Sequence, residues 1–307
     1  MNPCAICLEP AEGEYHPVCL RELFGVPHLP ALDIELPKLY ALAAGNMAGM
    51  MSISGVQEKV SLTLLPNPLR LEVAATGGRY ILKPETSRYP ALPQNESLSM
   101  RLAKLAGIEI PPCGLMKLKD GTPAYIVRRF DRTDDGRKIA AEDFCQLAEL
   151  KPKNKYDGSA ELCARLVKRY GSEPIIEIRK LFRQTLFSWW IGNGDLHLKN
   201  FMLITRSDRL KRLSPAYDLV GTRLVLPEDT LALPVGGKRT NLTRRSWLDY
   251  AEYCVLPAKA AKRLIEDLLE CEKPAMALVE RSFLNDEAKA QYAAILRENT
   301  AALEGKE

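Results

Sequence analysis

Long hydrophobic runs are missing from this sequence. No stretch approaches the roughly 18 consecutive apolar residues that a membrane-spanning helix needs, so we expect no membrane partner. The first residues, MNPCAICLEP, also lack the basic stretch and apolar core that are typical of a secretory signal. These two absences predict a cytoplasmic protein.

The sequence also contains few cysteines and has only a small net charge. Eight cysteines in 307 residues are too few for a disulfide-stabilised scaffold, and five of them are isolated in apolar surroundings that favour buried, inert thiols. The net charge of +4 is mild, and the pI of about 8.5 lies below the value above ~9 that is typical of dedicated nucleic-acid binders. An apolar fraction of 46% and a charged fraction of 27% are those of an ordinary globular protein, and the length predicts about two domains.

The hydrophobic pattern changes along the chain and predicts three segments. Residues 1–28 form a short Cys/His segment. Residues 29–140 contain alternating stretches such as VSLTLL and GRYILKP, which predict strands, and one helix that ends at Gly107. Residues 141–307 show mostly helical periodicity, with two short strands around TRSDRLKR and a strand-like LALPV. A sheet-rich lobe followed by a helical lobe is an α+β bilobal arrangement.

Residues 194–200, GDLHLKN, form a short polar segment between two apolar runs. Asp195 and Asn200 reproduce the D-x-x-x-x-N spacing of a kinase catalytic loop, in which the Asp orients the acceptor hydroxyl and the Asn binds magnesium. Asp218 follows in AYDLV, after the predicted strand pair, where a second metal ligand is expected. Carboxylate and amide oxygens suit Mg²⁺.

Residues that could bind the nucleotide precede this polar segment. Lys83 lies in the strand YILKPE and Glu96 in the helix after it, the order in which kinases place a phosphate-contacting Lys and the Glu that positions it. Residues 49–59, GMMSISGVQEK, form a glycine-containing loop that could cover the phosphates, although it lacks the G-x-G-x-x-G of ordinary protein kinases. Each residue alone also fits a structural role as a cap, a turn residue or a strand end. Their joint order favours a nucleotide-dependent kinase.

Seven segments together resemble the HipA family of serine/threonine kinase toxins. They are SISGVQEK, YILKP, NESLSMRLAKLAGI, RRFDR, EDFCQL, GNGDLHLKNF and LSPAYDLV, and they span most of residues 45–220. The resemblance implies a protein-kinase-like bilobal fold related to the phosphatidylinositol 3/4-kinases, with ATP and Mg²⁺ as cofactors. It implies that Asp195 is catalytic, that Asn200 and Asp218 bind the metal, and that residues 142–144 form the hinge at the adenine. The residues that it assigns to the nucleotide site are Ser54, Gly55, Val56, Gln57, Glu58, Lys59, Lys83, Glu96, Glu142, Asp143, Phe144, His197, Lys199, Asn200, Tyr217 and Asp218.

The resemblance also implies partners and a target. Because the chain begins with the Cys/His segment, we expect it to lack the N-terminal subdomain of the long HipA form and to be most similar to the shorter HipT-type kinases. Such kinases imply a small HipS-like companion and a HipB-like DNA-binding antitoxin, through which DNA is reached only indirectly. They further imply a protein substrate, with family precedent for an aminoacyl-tRNA synthetase, and autophosphorylation of the loop at Ser52 or Ser54.

Four residues of the first segment have metal-ligand chemistry. Cys4, Cys7, His16 and Cys19 stand at C-x2-C-x8-H-x2-C spacing, and three thiolates with one imidazole suit tetrahedral zinc. The C-x-x-C pair in a cytoplasmic chain favours a metal over a disulfide. The second half is shorter than the usual zinc templates, so a small packed subdomain with free thiols is the alternative.

Two other functions are compatible with these residues. A small-molecule kinase of the aminoglycoside-phosphotransferase type shares the Asp-x4-Asn arrangement. A non-enzymatic, zinc-dependent binding module would hold zinc and show no ATP-dependent activity. Labelling of a protein band by ATP in a cell lysate would distinguish the toxin-type protein kinase from both.

Overall fold

The computed structural model describes residues 2–46 and 59–305, which are divided between two compact units. The first unit comprises Met1–Arg101, Pro111–Lys138 and Arg281–Leu284. The second unit comprises Leu102–Ile110, Ile139–Glu280 and Asn285–Glu307. The Cys/His segment thus shares a unit with the sheet that follows it, and the three-segment division of the chain stays a prediction.

Sheet structure dominates the first unit. Its elements in chain order are β1 (Asn2–Pro3), β2 (Pro10–Ala11), α1 (Pro17–Phe24), α2 (Leu36–Asn46), β3 (Val60–Pro66), β4 (Leu69–Val73), β5 (Tyr80–Pro84), α3 (Leu92–Leu105), β6 (Cys113–Lys117) and β7 (Pro123–Arg128). The five longer strands form an antiparallel sheet in the order β4-β3-β5-β7-β6, and β1 pairs with β2.

The alternation of apolar residues decides which side of each strand is buried. Tyr80 and Leu82, two residues apart on β5, are both buried, and Leu82 is paired with the buried Val60 of β3. These side chains belong to one hydrophobic core that also contains Cys4 and Cys19 from the N-terminal segment. The segment is therefore packed into the core of the sheet unit.

Helix α3 ends at a glycine, as its sequence predicts. Gly107 has a φ of +71°, in the left-handed region that glycine adopts most readily. The Ile108 N–H donates to the Ala103 carbonyl at 3.0 Å, and the Gly107 N–H donates to the Lys104 carbonyl at 3.1 Å. These bonds satisfy carbonyls at the end of the helix that carries Glu96.

Helices dominate the second unit. The remaining elements are β8 (Ala141–Asp143), α4 (Phe144–Leu147), α5 (Ala160–Tyr170), α6 (Pro174–Trp190), β9 (Met202–Thr205), β10 (Lys211–Leu213), α7 (Arg244–Tyr253), α8 (Ala258–Leu269), α9 (Glu272–Arg281) and α10 (Asp286–Glu304). Strand β9 lies between β8 and β10 in a small antiparallel sheet. Across the described ranges, none of the helices combines the length and the apolar character that crossing a bilayer requires.

The end of α6 is fixed by the last helix. The Asn299 side-chain amide donates to the carbonyls of Trp189 and Trp190, each at 3.0 Å, and the Trp190 indole N–H donates to the Thr300 hydroxyl at 2.9 Å. All four of these residues are buried. Because carbonyls at a helix end have no partner within the helix, these bonds define where α6 stops and the loop containing GDLHLKN begins.

Most predicted elements are confirmed, and the differences have local causes. Strands β9 and β10 enclose TRSDRLKR as expected, with Thr205 paired to Lys211. LALPV was wrongly predicted as a strand: Val235 makes only an isolated bridge with Lys238, and Pro234 has no N–H to donate to a ladder. Strand β6 and helix α7 were not predicted. The first is only five residues long, and the second begins in the polar run RRS.

Candidate active site

The loop that follows α6 is folded by its own side chains. Asn193 is buried, and its Oδ1 accepts the N–H of Asp195 at 3.0 Å. The N–H of His197 donates to the Asn200 Oδ1 at 3.0 Å and to the Asp195 carbonyl at 2.9 Å. Asp195 and Asn200 therefore lie in one compact turn that ends in a short 3-10 helix, Leu198–Asn200.

Gly194 allows this loop to approach a neighbouring segment closely. Its N–H donates to the Thr222 Oγ1 at 2.7 Å, and the Thr222 hydroxyl donates to the Asp229 carboxylate. A Cβ at position 194 would collide with the Asp229 carboxylate and lie 2.6 Å from the Thr230 carbonyl oxygen. Thr222 and Asp229 thus position the loop. Sequence reasoning missed both, because they lie about 30 residues downstream without a recognisable motif.

Asp195 is exposed and accepts a hydrogen bond from a tyrosine that sequence reasoning also missed. The Tyr156 hydroxyl donates to the Asp195 Oδ1 at 2.7 Å, and burial together with this bond raises the pKa of Tyr156. The Tyr156 ring lies edge-on to His197, with ring centroids 5.3 Å apart. The Leu198 N–H donates to the Lys155 carbonyl at 3.1 Å, which holds this segment against the loop. The tyrosine hydroxyl therefore takes up one acceptor position of the Asp195 carboxylate.

His197 is buried beneath the loop. Burial lowers the pKa of His197 to about 4, against the raising effect of the Asp195 carboxylate and, more weakly, that of Asp218. Its Nδ1 has no hydrogen-bond partner within the described part of the chain. The ring is therefore neutral at neutral pH and does not cancel the charge of the two carboxylates.

Asp218 follows β10 in a left-handed backbone conformation. Its φ is +58°, a conformation that Asp tolerates better than most residues and that is concentrated at functional sites. The adjacent Tyr217 hydroxyl donates to the Lys199 carbonyl at 2.7 Å, which ties this segment to the residue before Asn200. The Asp218 carboxylate also acts to raise the pKa of His197, so it lies within electrostatic reach of the same loop.

A buried ion pair joins the sheet and a helix in the first unit. The Lys83 Nζ on β5 lies 2.5 Å from the Glu96 Oε1 on α3, and the two residues are 5% and 1% exposed. The same Nζ lies 5.5 Å from the centroid of the Tyr125 ring. The structure thus brings together the two residues that the sequence singled out as a phosphate-contacting Lys and its Glu.

The segment predicted as the hinge is a strand end followed by a capped helix. Glu142 is exposed in the middle of β8, and Asp143 ends that strand and caps α4 by accepting the Gln146 N–H at 2.8 Å. The Phe144 ring is buried and stacks on Phe201, with centroids 5.4 Å apart. The Phe144 ring belongs to the core and the Phe144 N–H donates to the Phe201 carbonyl at 3.0 Å, so the nucleotide contact predicted for this residue stays a prediction.

Part of the predicted nucleotide site lies outside the described residues. The positions concerned are Ser52, Ser54, Gly55, Val56, Gln57 and Glu58. Lys59 is described, and it is exposed immediately before β3.

The four Cys/His residues of the N-terminal segment are brought together. The ligand atoms of Cys4, Cys7, His16 and Cys19 all lie within 4.8 Å of one another. Cys4 and Cys19 are buried, whereas Cys7 and His16 are partly exposed.

The chain matches a known protein family over most of its length. Residues 51–275 match the family model described as the HipA-like C-terminal domain. The chain belongs to this family. The resemblance to HipA is thereby confirmed, and the assignment to the HipT type stays a prediction.

Curated relatives match over much of the chain but have longer sequences. The "Putative kinase Y4mE" of Sinorhizobium fredii is 31% identical over 251 residues, which cover 78% of this chain and 59% of the relative. The "Serine/threonine-protein kinase toxin HipA" of Shewanella oneidensis is 26% identical over 211 residues, which cover 61% of this chain and 47% of the relative. This chain therefore spans only about half of the length of these relatives.

A solved structure shares the fold. The chain is similar to one from the Shewanella oneidensis complex of HipA, HipB and its operator DNA, with a TM-score of 0.69 and 21% identity. The match covers 83% of this chain and 65% of that chain. At this identity the likeness shows the fold, and the predicted α+β, HipA-like fold class is confirmed.

We predict that Gly194→Ala will destabilise the second unit by about 1–3 kcal/mol, the usual cost of overpacking a filled site. The added Cβ meets the Asp229 carboxylate, which accepts the Thr222 hydroxyl, and the backbone of Thr230, whose N–H donates to the same carboxylate. Urea unfolding would measure the change. Gly13→Ala is the control, because an added Cβ there meets no atom within 4 Å and the change should be close to neutral. Equal stability of the two variants would contradict the close approach at Gly194.

Proposed function

We propose that this protein is an ATP-dependent serine/threonine protein kinase that acts as the toxin of a HipA-type toxin–antitoxin system. The observation that carries the proposal is the buried pair of Lys83 and Glu96. Replacing a buried ion pair by well-packed apolar residues is often neutral or stabilising, so stability alone does not explain this one. In kinases a strand Lys contacts the nucleotide phosphates and a helix Glu holds that Lys in place. Strand β5 and helix α3 supply this arrangement.

Asn200 and Asp218 would bind Mg²⁺. Their amide and carboxylate oxygens are the hard donors that Mg²⁺ prefers, together with substrate phosphates. The Asn200 Oδ1 accepts one N–H, from His197, and an amide oxygen has a second lone pair for a metal. Bound there, Mg²⁺ would neutralise charge on the transferred phosphoryl group.

Asp195 would orient the acceptor hydroxyl and take its proton. It is exposed at the surface of the second unit, and Asn193 holds its backbone. An arriving serine or threonine hydroxyl would compete with the Tyr156 hydroxyl for the Asp195 carboxylate, whose Oδ1 accepts the tyrosine hydrogen bond. The γ-phosphoryl group of ATP would then be transferred to the acceptor oxygen as the proton passes to the carboxylate.

The proposed acceptor is a serine or threonine of a host protein, and an aminoacyl-tRNA synthetase is the class that the family resemblance favours. Phosphorylating a synthetase would deprive the ribosome of charged tRNA. The Shewanella oneidensis relative is named a toxin, and its solved complex contains HipB and operator DNA. By analogy, we propose that this chain binds a HipB-like antitoxin. If it is of the HipT type, it would also bind a HipS-like companion. Both would act in the cytoplasm.

The alternatives predict different products. An aminoglycoside-type phosphotransferase would label a small molecule and leave the proteins of a lysate unlabelled. A zinc-dependent binding module would consume no ATP under any supply of Mg²⁺ and Zn²⁺.

We predict that Asp195→Asn will lose protein labelling at least 100-fold, because an amide cannot take the acceptor proton and general base catalysis supplies about 10²–10⁴-fold. The assay incubates the purified chain with γ-labelled ATP, Mg²⁺ and lysate. ATP binding should survive in this variant. Asp208→Asn is the matched control, since Asp208 lies in an exposed turn and pairs with Arg212. Full labelling by Asp195→Asn would refute the catalytic assignment.

We predict that the wild-type chain will add one or two phosphates to residues 50–59 when it is given ATP. A phosphoserine at Ser52 or Ser54 adds about −1.5 to −2 charges where ATP brings its own phosphates, so it should lower nucleotide affinity. Intact-mass spectrometry with peptide mapping is the measurement, and Asp195→Asn should add none. Phosphate found only elsewhere, or equally in the Asp195 variant, would exclude this self-inactivation.

We predict that Tyr156→Phe will raise kcat/KM for the protein acceptor about fivefold, because a hydrogen bond of ~1 kcal/mol no longer competes for Asp195. The KM for ATP should not change. Tyr253→Phe is the matched control, because Tyr253 is also 43% exposed and its hydroxyl bonds Arg165 instead. A lower kcat/KM in Tyr156→Phe would show that the tyrosine positions Asp195 and does not compete with the acceptor.

A further inference from the structure

We infer that Cys4, Cys7, His16 and Cys19 bind one structural zinc ion. The four donor atoms lie within 4.8 Å of one another. No other set of three or more His, Cys, Asp or Glu side chains gathers in this way within residues 2–46 and 59–305. The site lies outside the residues that match the family model, so it is independent of the kinase proposal.

The spacing of the donors fits tetrahedral zinc. With Zn–S bonds of about 2.3 Å and Zn–N bonds of about 2.0–2.1 Å, neighbouring donors lie about 3.4–3.8 Å apart. The His16 Nδ1 lies 3.3 Å from the Cys7 Sγ and 3.9 Å from the Cys19 Sγ. Both distances lie close to this range, so small shifts would let the imidazole nitrogen and the two sulfur atoms share one ion.

The His16 ring is oriented as in a zinc ligand. Its Nε2 lies 3.1 Å from the carbonyl oxygen of Pro10, which can only accept a hydrogen bond. The Nε2 therefore carries the proton, and the Nδ1 presents its lone pair to Cys7 and Cys19. Metal-binding histidines usually fix their tautomer through such a bond from the other ring nitrogen.

Backbone N–H groups point at one of the sulfur atoms. The Cys4 Sγ lies 3.5 Å from the Ile6 nitrogen and 3.4 Å from the His16 nitrogen, and both N–H groups donate to it. Hydrogen bonds to the charged form of a group favour that form, and a thiolate is the form that binds zinc.

Two local elements supply the four ligands. Cys4 and Cys7 lie in the turn of the β1–β2 hairpin, where the Cys4 N–H donates to the Glu9 carbonyl at 2.8 Å. His16 is the N-cap residue of α1, and Cys19 lies in the first turn of that helix. The short second half of the motif is explained by this geometry, because one helical turn places positions 16 and 19 on the same side.

Zinc here would hold the N-terminal segment against the edge of the five-stranded sheet. The Ala5 carbonyl accepts the Leu115 N–H at 2.8 Å, and the Tyr15 hydroxyl donates to the Leu115 carbonyl at 3.1 Å. Ile6 packs so closely on Gly114 that a Cβ there would lie 2.6 Å from the Ile6 Cγ1. Four protein ligands leave no open position on the metal, so the role is structural and not catalytic.

We predict about one zinc ion per chain when the full-length protein is purified under reducing conditions without a chelator and measured by inductively coupled plasma mass spectrometry. Cys7→Ser and Cys19→Ser should each lower the zinc content at least fivefold. Cys271→Ser and His28→Asn are the matched controls outside the cluster and should keep it. Zinc content in Cys19→Ser equal to that of the wild type would overturn the assignment.

The wild-type protein decides the question alone if the ligand variants fail to fold. Cobalt supplied in place of zinc should give the d–d bands of tetrahedral Co²⁺ and a thiolate-to-cobalt charge-transfer band. A mercurial thiol reagent should release zinc in step with the modification of about three thiols, the number that the Cys₃His site contains. A reduced, folded protein that contains no zinc and binds neither Zn²⁺ nor Co²⁺ would overturn the inference.

Discussion

Burying Lys83 and Glu96 removes both ions from water, and the desolvation of each costs several kcal/mol. Their attraction at 2.5 Å offsets this cost only while β5 and α3 keep the two side chains in contact. The sheet meets that requirement, because β5 pairs Lys83 with the buried Tyr125 of β7, whose ring centroid lies 5.5 Å from the Lys83 Nζ. Losing one partner would leave the other charge buried alone, at about 3–5 kcal/mol. The packing that keeps β5 against α3 therefore also fixes the position of the proposed phosphate-binding Lys.

In the second unit, the backbone of the loop is held by several side chains, whereas the Asp195 side chain makes a contact that can be exchanged. Asn299 fixes the end of α6, and Thr222 and Asp229 fix Gly194, all through bonds in buried or partly buried surroundings. Asp195, by contrast, is exposed, and its Oδ1 accepts a tyrosine hydroxyl. The role proposed for Asp195 requires a fixed backbone and an exchangeable hydrogen-bond partner. Neighbours that are distant in sequence fix the backbone of the loop, and Tyr156 is the exchangeable hydrogen-bond partner.

The sequence was informative about sites whose residues lie close together in the chain. Asp195 and Asn200 could be predicted because a D-x-x-x-x-N turn brings both to one site, and Cys4 and Cys7 because one hairpin turn does the same. Strand β5 and helix α3 were equally predictable from their apolar periodicity. Tyr156, Thr222 and Asp229 could not be found in this way. They reach the loop only through the tertiary fold, from segments 39, 28 and 35 residues away from the residues they serve.

The two proposed metals need not compete, because the donors differ in hardness. Asn200 and Asp218 offer oxygen, which suits Mg²⁺, whereas the N-terminal cluster offers three sulfurs and one nitrogen, which suit zinc. His197 offers a ring nitrogen near Asp195, and burial lowers its pKa to about 4. Its backbone N–H, and not its ring, contacts Asn200. The ring therefore adds no positive charge beside Asp195 and Asp218, and the negative potential that attracts a hard cation is preserved at neutral pH.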